Sequence, residues 1–102
     1  DLRRARLLGA QTRLADFANR LKSENRNVYL EIQGHTDSSG PEAYNDNLGQ
    51  ARAEAVRRFM AKQGIALNRI GTISYGEELP VAPNDTADGR AQNRRVAIIV
   101  LQ

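Results

Sequence analysis

An acidic turn between a strand and a helix most constrains how this chain can fold: Gly34-His35-Thr36-Asp37, then Asn45, Leu48, Arg52-Ala53 and Val56. Asn45, Leu48 and Arg52 recur at spacings of three and four, which are neighbour spacings on a helix, so they share one stripe. Continued, the stripe reads Ala55, Phe59 and Gln63, and Arg52 interrupts a mostly apolar face. A charge turned inward requires a partner, because burying it alone is costly. Asp37, on the loop against which this helix packs, is the nearest acidic candidate. The pair admits two readings. It is either an ion pair tying loop to helix, or a mouth that holds a zwitterion, with an amine on Asp37 and a carboxylate on Arg52. The setting favours the second. Asp37 follows the carboxyl end of a strand, where open α/β sheets bind ligands, and Gly34, Ser38, Ser39 and Gly40 keep the mouth open and expose backbone N–H groups.

The elements around this turn follow from periodicity. Leu7, Ala10, Leu14, Phe17, Ala18 and Leu21 predict a helix over residues 2–23, with Arg6, Arg13 and Arg20 on its solvated edge. Val28, Leu30 and Ile32 alternate with Tyr29, Glu31 and Gln33, the pattern of a strand with one buried face. Pro41 suits the first turn of a second helix reaching about Gln63, with Gly64 as its left-handed cap. Residues 70–75 form a second strand. The stretch 76–89, with Pro80, Pro83 and Asn84-Asp85, is a long loop with turn chemistry, and Gly89 to Arg94 suits a short helical turn. Val96 to Leu101 is apolar on both faces, which predicts an interior strand covered on both sides or flanked by partner strands. The sum is one domain over residues 1–102, a two-layer α/β sandwich with a mixed sheet and two main helices.

Composition narrows the chemistry. There is no cysteine, which removes disulfides, thiolate catalysis and cysteine-based metal sites together. With His35 the only histidine, a zinc site lacks ligands, and Ser38 and Ser39 sit too close in one loop to converge on His35 as a hydrolytic triad. A structural hydrogen-bonding role suits His35 better. The spacing of Asp37 and Asp46 does not match a calcium loop. No general acid and base set emerges, so the chain is not read as an enzyme and no cofactor is implied. Of the 15 basic residues 13 are arginine, and the formal net charge is +3, a balance that favours anionic or carboxylate-bearing partners. Arg90, Arg94 and Arg95 cluster ahead of the last strand, yet aromatic residues are not interleaved with them, which argues against nucleic acid. If the last strand neighbours the first, Arg94 reaches the same end of the sheet as Asp37. Glu77-Glu78 reads as solvated loop charge.

The chain resembles the OmpA-like domain, the non-covalent peptidoglycan-binding module of outer-membrane proteins, the peptidoglycan-associated lipoprotein and flagellar stator proteins. The resemblance is carried by Gly34-His35-Thr36-Asp37, by the run from Asn45 to Val56, by Gly76-Glu77-Glu78-Leu79-Pro80 and by Gly89-Arg90-Ala91-Gln92-Asn93-Arg94-Arg95-Val96, and it covers about residues 28–100. It implies a pocket for the meso-diaminopimelate of the peptide stem. Asp37 and Arg52 correspond to the clamps for its amine and carboxylate, and Thr36, Asn45, Leu48 and Arg94 to pocket walls or secondary hydrogen-bonders. It also implies a periplasmic location, with peptidoglycan as partner and an outer-membrane or lipid-anchored region in the parent protein. The alternative is an envelope scaffold with a non-functional pocket that binds another protein. Two departures stand out. Gly49 replaces the usual Ser, removing a hydroxyl and weakening the helix by up to about 1 kcal/mol. The family's first strand is missing ahead of the first helix, as in a fragment of a larger protein, and this predicts an exposed sheet edge.

Overall fold

A computed structural model describes residues 2–24 and 28–101, with side chains from Thr12 onward. The elements run α1 (Leu2–Ser23), β1 (Tyr29–His35), α2 (Glu42–Lys62), a 3₁₀ turn (Leu67–Arg69), β2 (Ile70–Gly76), α3 (Ala87–Asn93) and β3 (Arg95–Leu101). The predicted helices and strands are present, while α3 begins two residues earlier than expected, at Ala87. Its start is set by Thr86, whose hydroxyl accepts the N–H of Gly89 at 3.0 Å, a cap that satisfies one of the orphan donors of the first turn. Gly64 lies just past α2 at φ 101°, the left-handed geometry that ends a helix without a Cβ penalty.

The sheet is mixed, in the order β2-β1-β3, with β1 parallel to β2 and antiparallel to β3. Val96 to Leu101 is therefore an edge strand among the described residues, not the interior strand its composition predicts. Its apolar character on both faces has a local cause on one side: Val96, Ile98 and Val100 pack on the core. Ile99 and Leu101 on the other side stay exposed.

The core is Ala18, Leu21, Leu30, Ile32, Ala53, Met60 and Ile70, each nearly inaccessible to solvent. A fully buried side chain such as Leu30, Ile32 or Met60 contributes about 1.5–3 kcal/mol. Leu14 and Phe17 of α1 lie over this core, whereas the side chains of Leu7, Ala10 and Arg6 fall outside the described residues. The inward face of α2 is rotated from the expected one. It carries Asn45, Gly49, Ala53 and Met60, while Ala55 is exposed and Arg52 lies half-buried at the margin. The rotation has a steric origin. A methyl group at Gly34 would lie 1.8 Å from the Gly49 carbonyl oxygen, and one at Gly49 would lie 2.3 Å from Ser74 Oγ. Backbone of α2 thus rests on backbone of β1. Gly49 is here a packing requirement rather than only a lost hydroxyl, since Ser74 of β2 occupies the space beside it.

Candidate functional site

The acidic loop leaves β1 at its carboxyl end and is held by a short run of hydrogen bonds. The Thr36 N–H donates to the Gly76 carbonyl at 2.9 Å. The carbonyl of Asp37 accepts both the Thr36 hydroxyl, at 2.9 Å, and the Asn45 amide, at 3.3 Å. Thr36, Asp37 and Asn45 are all buried. The loop is thereby fastened to β2 and to α2, and the direction of the Asp37 side chain follows from that.

The carboxylate of Asp37 accepts the Ser39 N–H on Oδ1 at 2.8 Å and the Arg94 guanidinium on Oδ2 at 2.8 Å. Burial opposes its charged form, but the Ser39 and Arg94 hydrogen bonds outweigh that and hold its pKa below the ordinary 3.8. Arg94 arrives there by topology. The antiparallel register sets His35 against Arg95, which brings the residue before β3 to the end of β1. The ion pair described for Asp37 is thus with Arg94. Arg52 reaches the same mouth from α2, where its guanidinium donates to the carbonyl of His35 at 3.5 Å.

These groups enclose a cavity of about 180 Å³ lined by Thr36, Asp37, Ser39, Tyr44, Asn45, Leu48, Arg52 and Arg94. Asp37, Arg52, Thr36, Asn45, Leu48 and Arg94, the six residues singled out by sequence, all line it. Ser39 and Tyr44 were not among them. Ser39 could have been found from its place two residues past Asp37, where a backbone N–H folds back onto a carboxylate. Tyr44 carries no comparable signal beyond its position before Asn45. The cavity is smaller than the roughly 300–1,000 Å³ of drug-sized pockets, so it suits one amino-acid-sized unit. Its mouth offers a carboxylate and two guanidiniums around the Leu48 side chain.

His35 is buried on the strand beside this mouth, not in it. Its Nε2 lies 3.3 Å from Gln33 Oε1, and its ring stacks on Tyr75 with centroids 5.6 Å apart. Burial first, and the nearby Arg95 second, lower its pKa below 6.5. The Arg90, Arg94 and Arg95 cluster is engaged within the fold. Arg90 donates to the Asn84 carbonyl at 2.9 Å and Arg95 to the Leu79 carbonyl at 3.0 Å. Asn93, fully buried, organises the same loop. Its Oδ1 accepts the N–H groups of Val81 and Ala82 while its Nδ2 donates to the Ala82 carbonyl and to Asn84 Oδ1. Asn84 Oδ1 in turn accepts the Ser38 N–H at 3.3 Å. The long loop is therefore a brace behind the acidic turn.

Residues 7–94 match the OmpA family. The chain belongs to that family. Outer membrane porin F of Pseudomonas fluorescens is 49% identical over 83 residues, which are 81% of this chain and 24% of the porin. The chain thus spans about a quarter of that relative. The crystal structure of the peptidoglycan-associated lipoprotein from Burkholderia pseudomallei superposes with a TM-score of 0.81 at 40% identity, covering 88% of this chain and 75% of that one. The C-terminal domain of Helicobacter pylori MotB superposes with a TM-score of 0.82 at 26% identity, covering 90% and 71% respectively. This OmpA-family domain therefore shares its architecture with domains of a lipoprotein and of MotB, and its sequence with part of a porin.

Proposed function

We propose that this OmpA-family domain binds peptidoglycan non-covalently through the diaminopimelate of the peptide stem, without catalysis, and so anchors an envelope protein to the cell wall from the periplasmic side. The observation that carries the reading is the small cavity whose lining brings together Asp37, Arg52, Arg94 and Leu48. The free end of a diaminopimelate side chain is an amino acid, with an ammonium and a carboxylate on one carbon. A carboxylate that stays ionised at neutral pH takes the ammonium, and Arg52 takes the carboxylate with the planar fork that suits it. Leu48 supplies an apolar wall for the methylene stem that leads to that carbon. A relative named for its association with peptidoglycan, at 40% identity over most of the chain, supports peptidoglycan as the partner.

Pelleting with purified sacculi tests this. Removing one partner of a desolvated charge pair costs about 2–5 kcal/mol. Asp37→Ala and Arg52→Ala are therefore expected to abolish pelleting at micromolar protein while unfolding remains cooperative. Binding is expected to persist at about 0.3 M salt, because a partly desolvated pair is screened less than surface charge. Free diaminopimelate should displace it in preference to glutamate. Both variants pelleting like the parent chain would exclude the clamp, and loss at that salt without discrimination between competitors would leave only a basic surface. Retained binding to a protein partner alone would favour the scaffold alternative.

A further inference from the structure

A second and larger hollow, about 270 Å³, lies at the far pole of the domain. Its floor is Leu21, Val28, Leu30 and Ile65, and its rim carries Lys22 and Arg69. It opens at the amino-terminal ends of β1 and β2 and past the end of α2, whereas the Asp37 cavity opens at the carboxyl end of β1. Measured along α2 from Leu48 to Gly64, the two are about 24 Å apart at roughly 1.5 Å per residue. The turn Leu67–Arg69 leads from Ala66, at the edge of the hollow, into β2, and Leu67 on it is 51% exposed.

That turn is fixed by cations. The Arg57 guanidinium donates to the Leu67 carbonyl at 3.0 Å and to the Ile70 carbonyl at 2.8 Å. The Lys22 ammonium donates to the Gln63 carbonyl, at the carboxyl end of α2. Lys62 ends the same helix and is exposed. Lys22 and Arg69 thus line an apolar-floored hollow, Arg57 braces the adjoining turn that bears Leu67, and Lys62 is exposed at the end of α2.

We propose that this pole docks on an anionic phospholipid surface. The charge complements phosphate headgroups, and a leucine held out on a braced turn enters the boundary between headgroups and acyl chains, as the apolar side of an interfacial element does. An acidic polypeptide would satisfy the cations and leave Leu67 and the hollow floor without a counterpart. The placement lets one domain meet a membrane leaflet with one end while its Asp37 cavity faces away.

Co-sedimentation with vesicles tests this on the full chain. Vesicles of phosphatidylglycerol and phosphatidylcholine in equal parts should retain it, and phosphatidylcholine alone should not. The Lys62→Gln/Arg69→Gln double variant should lower partitioning about tenfold or more. Leu67→Asn, at an exposed position that folding does not need, should lower it about tenfold. Both should leave sacculus binding unchanged, and Asp37→Ala should leave vesicle binding unchanged. Equal binding to both vesicle types overturns the proposal. So does displacement by soluble polyglutamate with no effect of Leu67→Asn, which would identify an acidic chain as the occupant. Loss of vesicle binding in Asp37→Ala overturns it too, since the phosphate would then sit in the other cavity.

Discussion

Replacing Gly34 by Ala tests whether backbone contact between α2 and β1 sets the geometry of the site. The added methyl would lie 1.8 Å from the Gly49 carbonyl oxygen, where ordinary contact begins near 3.4 Å. The atom it meets is backbone, so no side chain can turn aside, and α2 must lift from the sheet by about 1.6 Å. That shift opens space over Leu30, Ile32, Ala53 and Met60 and moves Asn45, Leu48 and Arg52 away from Asp37. Overpacking of this kind costs about 3 kcal/mol or more, partly offset by a gain of about 0.4–1 kcal/mol from the stiffer unfolded chain. For a domain of this size each kcal/mol moves Tm by about 4–8 °C, so Gly34→Ala should fall by roughly 10–20 °C. Gly49→Ala is the internal comparison. It gains up to about 1 kcal/mol of helix propensity, but its methyl meets the Ser74 hydroxyl at 2.3 Å. Combining it with Ser74→Ala should recover stability beyond the sum of the single changes. Thermal melts of the four variants, with sacculus pelleting below each Tm, measure this. A Gly34→Ala chain within about 2 °C of the parent that still binds sacculi would refute the argument, given the scale above.

Two further outcomes follow from the site. Arg52→Lys keeps the charge but loses the fork, so titration with a diaminopimelate-containing peptide should show most of the affinity gone, and equal affinity would mean that only net charge matters. On acidification, His35 is expected to destabilise the fold before Asp37 does. The pKa of each is lowered in the folded state, so the unfolded chain takes up the proton first and stability falls with pH, from about 6.5 downward for His35 and only below 3.8 for Asp37. Urea midpoints between about pH 7 and about pH 5 should decline in the parent chain and less so in His35→Gln, whereas parallel slopes would contradict the assignment.

Much of the fold was legible because its signals are local. Alternation at Val28–Gln33 and the three-and-four spacing in α1 each report one element's own burial. What was not legible depends on contacts between elements. Spacing alone points to the stripe through Arg52, Ala55 and Phe59 as the inward face of α2, since glycine carries no hydrophobic signal. That face runs instead through Gly49 and Ala53, whose smallness lets the helix approach β1. The place of β3, an edge strand among the described residues, escapes the sequence for a related reason. An apolar strand looks interior whether its second face meets protein or solvent, and Ile99 and Leu101 meet solvent. At the site, all six expected residues line one cavity, but the partner of Asp37 came out as Arg94 at 57 residues' separation. Spacing along α2 can nominate Arg52. Only strand pairing brings Arg94 in.

That pairing bears on how the proposed ligand enters. An Asp37 already bonded to Arg94 looks occupied, yet a carboxylate has about four acceptor sites on two oxygens. Ser39 uses one site on Oδ1 and Arg94 one on Oδ2. An incoming ammonium is then a third donor and does not have to displace either. Arg94 sits at the rim, its side chain 41% exposed against 10% for that of Asp37, so solvent screens the cation more than the carboxylate it serves. The bridge counters the penalty that burial places on the charged acid, while Arg52 lines the same cavity from α2. In the proposed reading Arg94, with the Ser39 N–H, favours the ionised acid, and Arg52 meets the ligand carboxylate. The two come from different elements, Arg52 from α2 and Arg94 from the approach to β3, so the antiparallel closure of β3 on β1 is what completes the mouth.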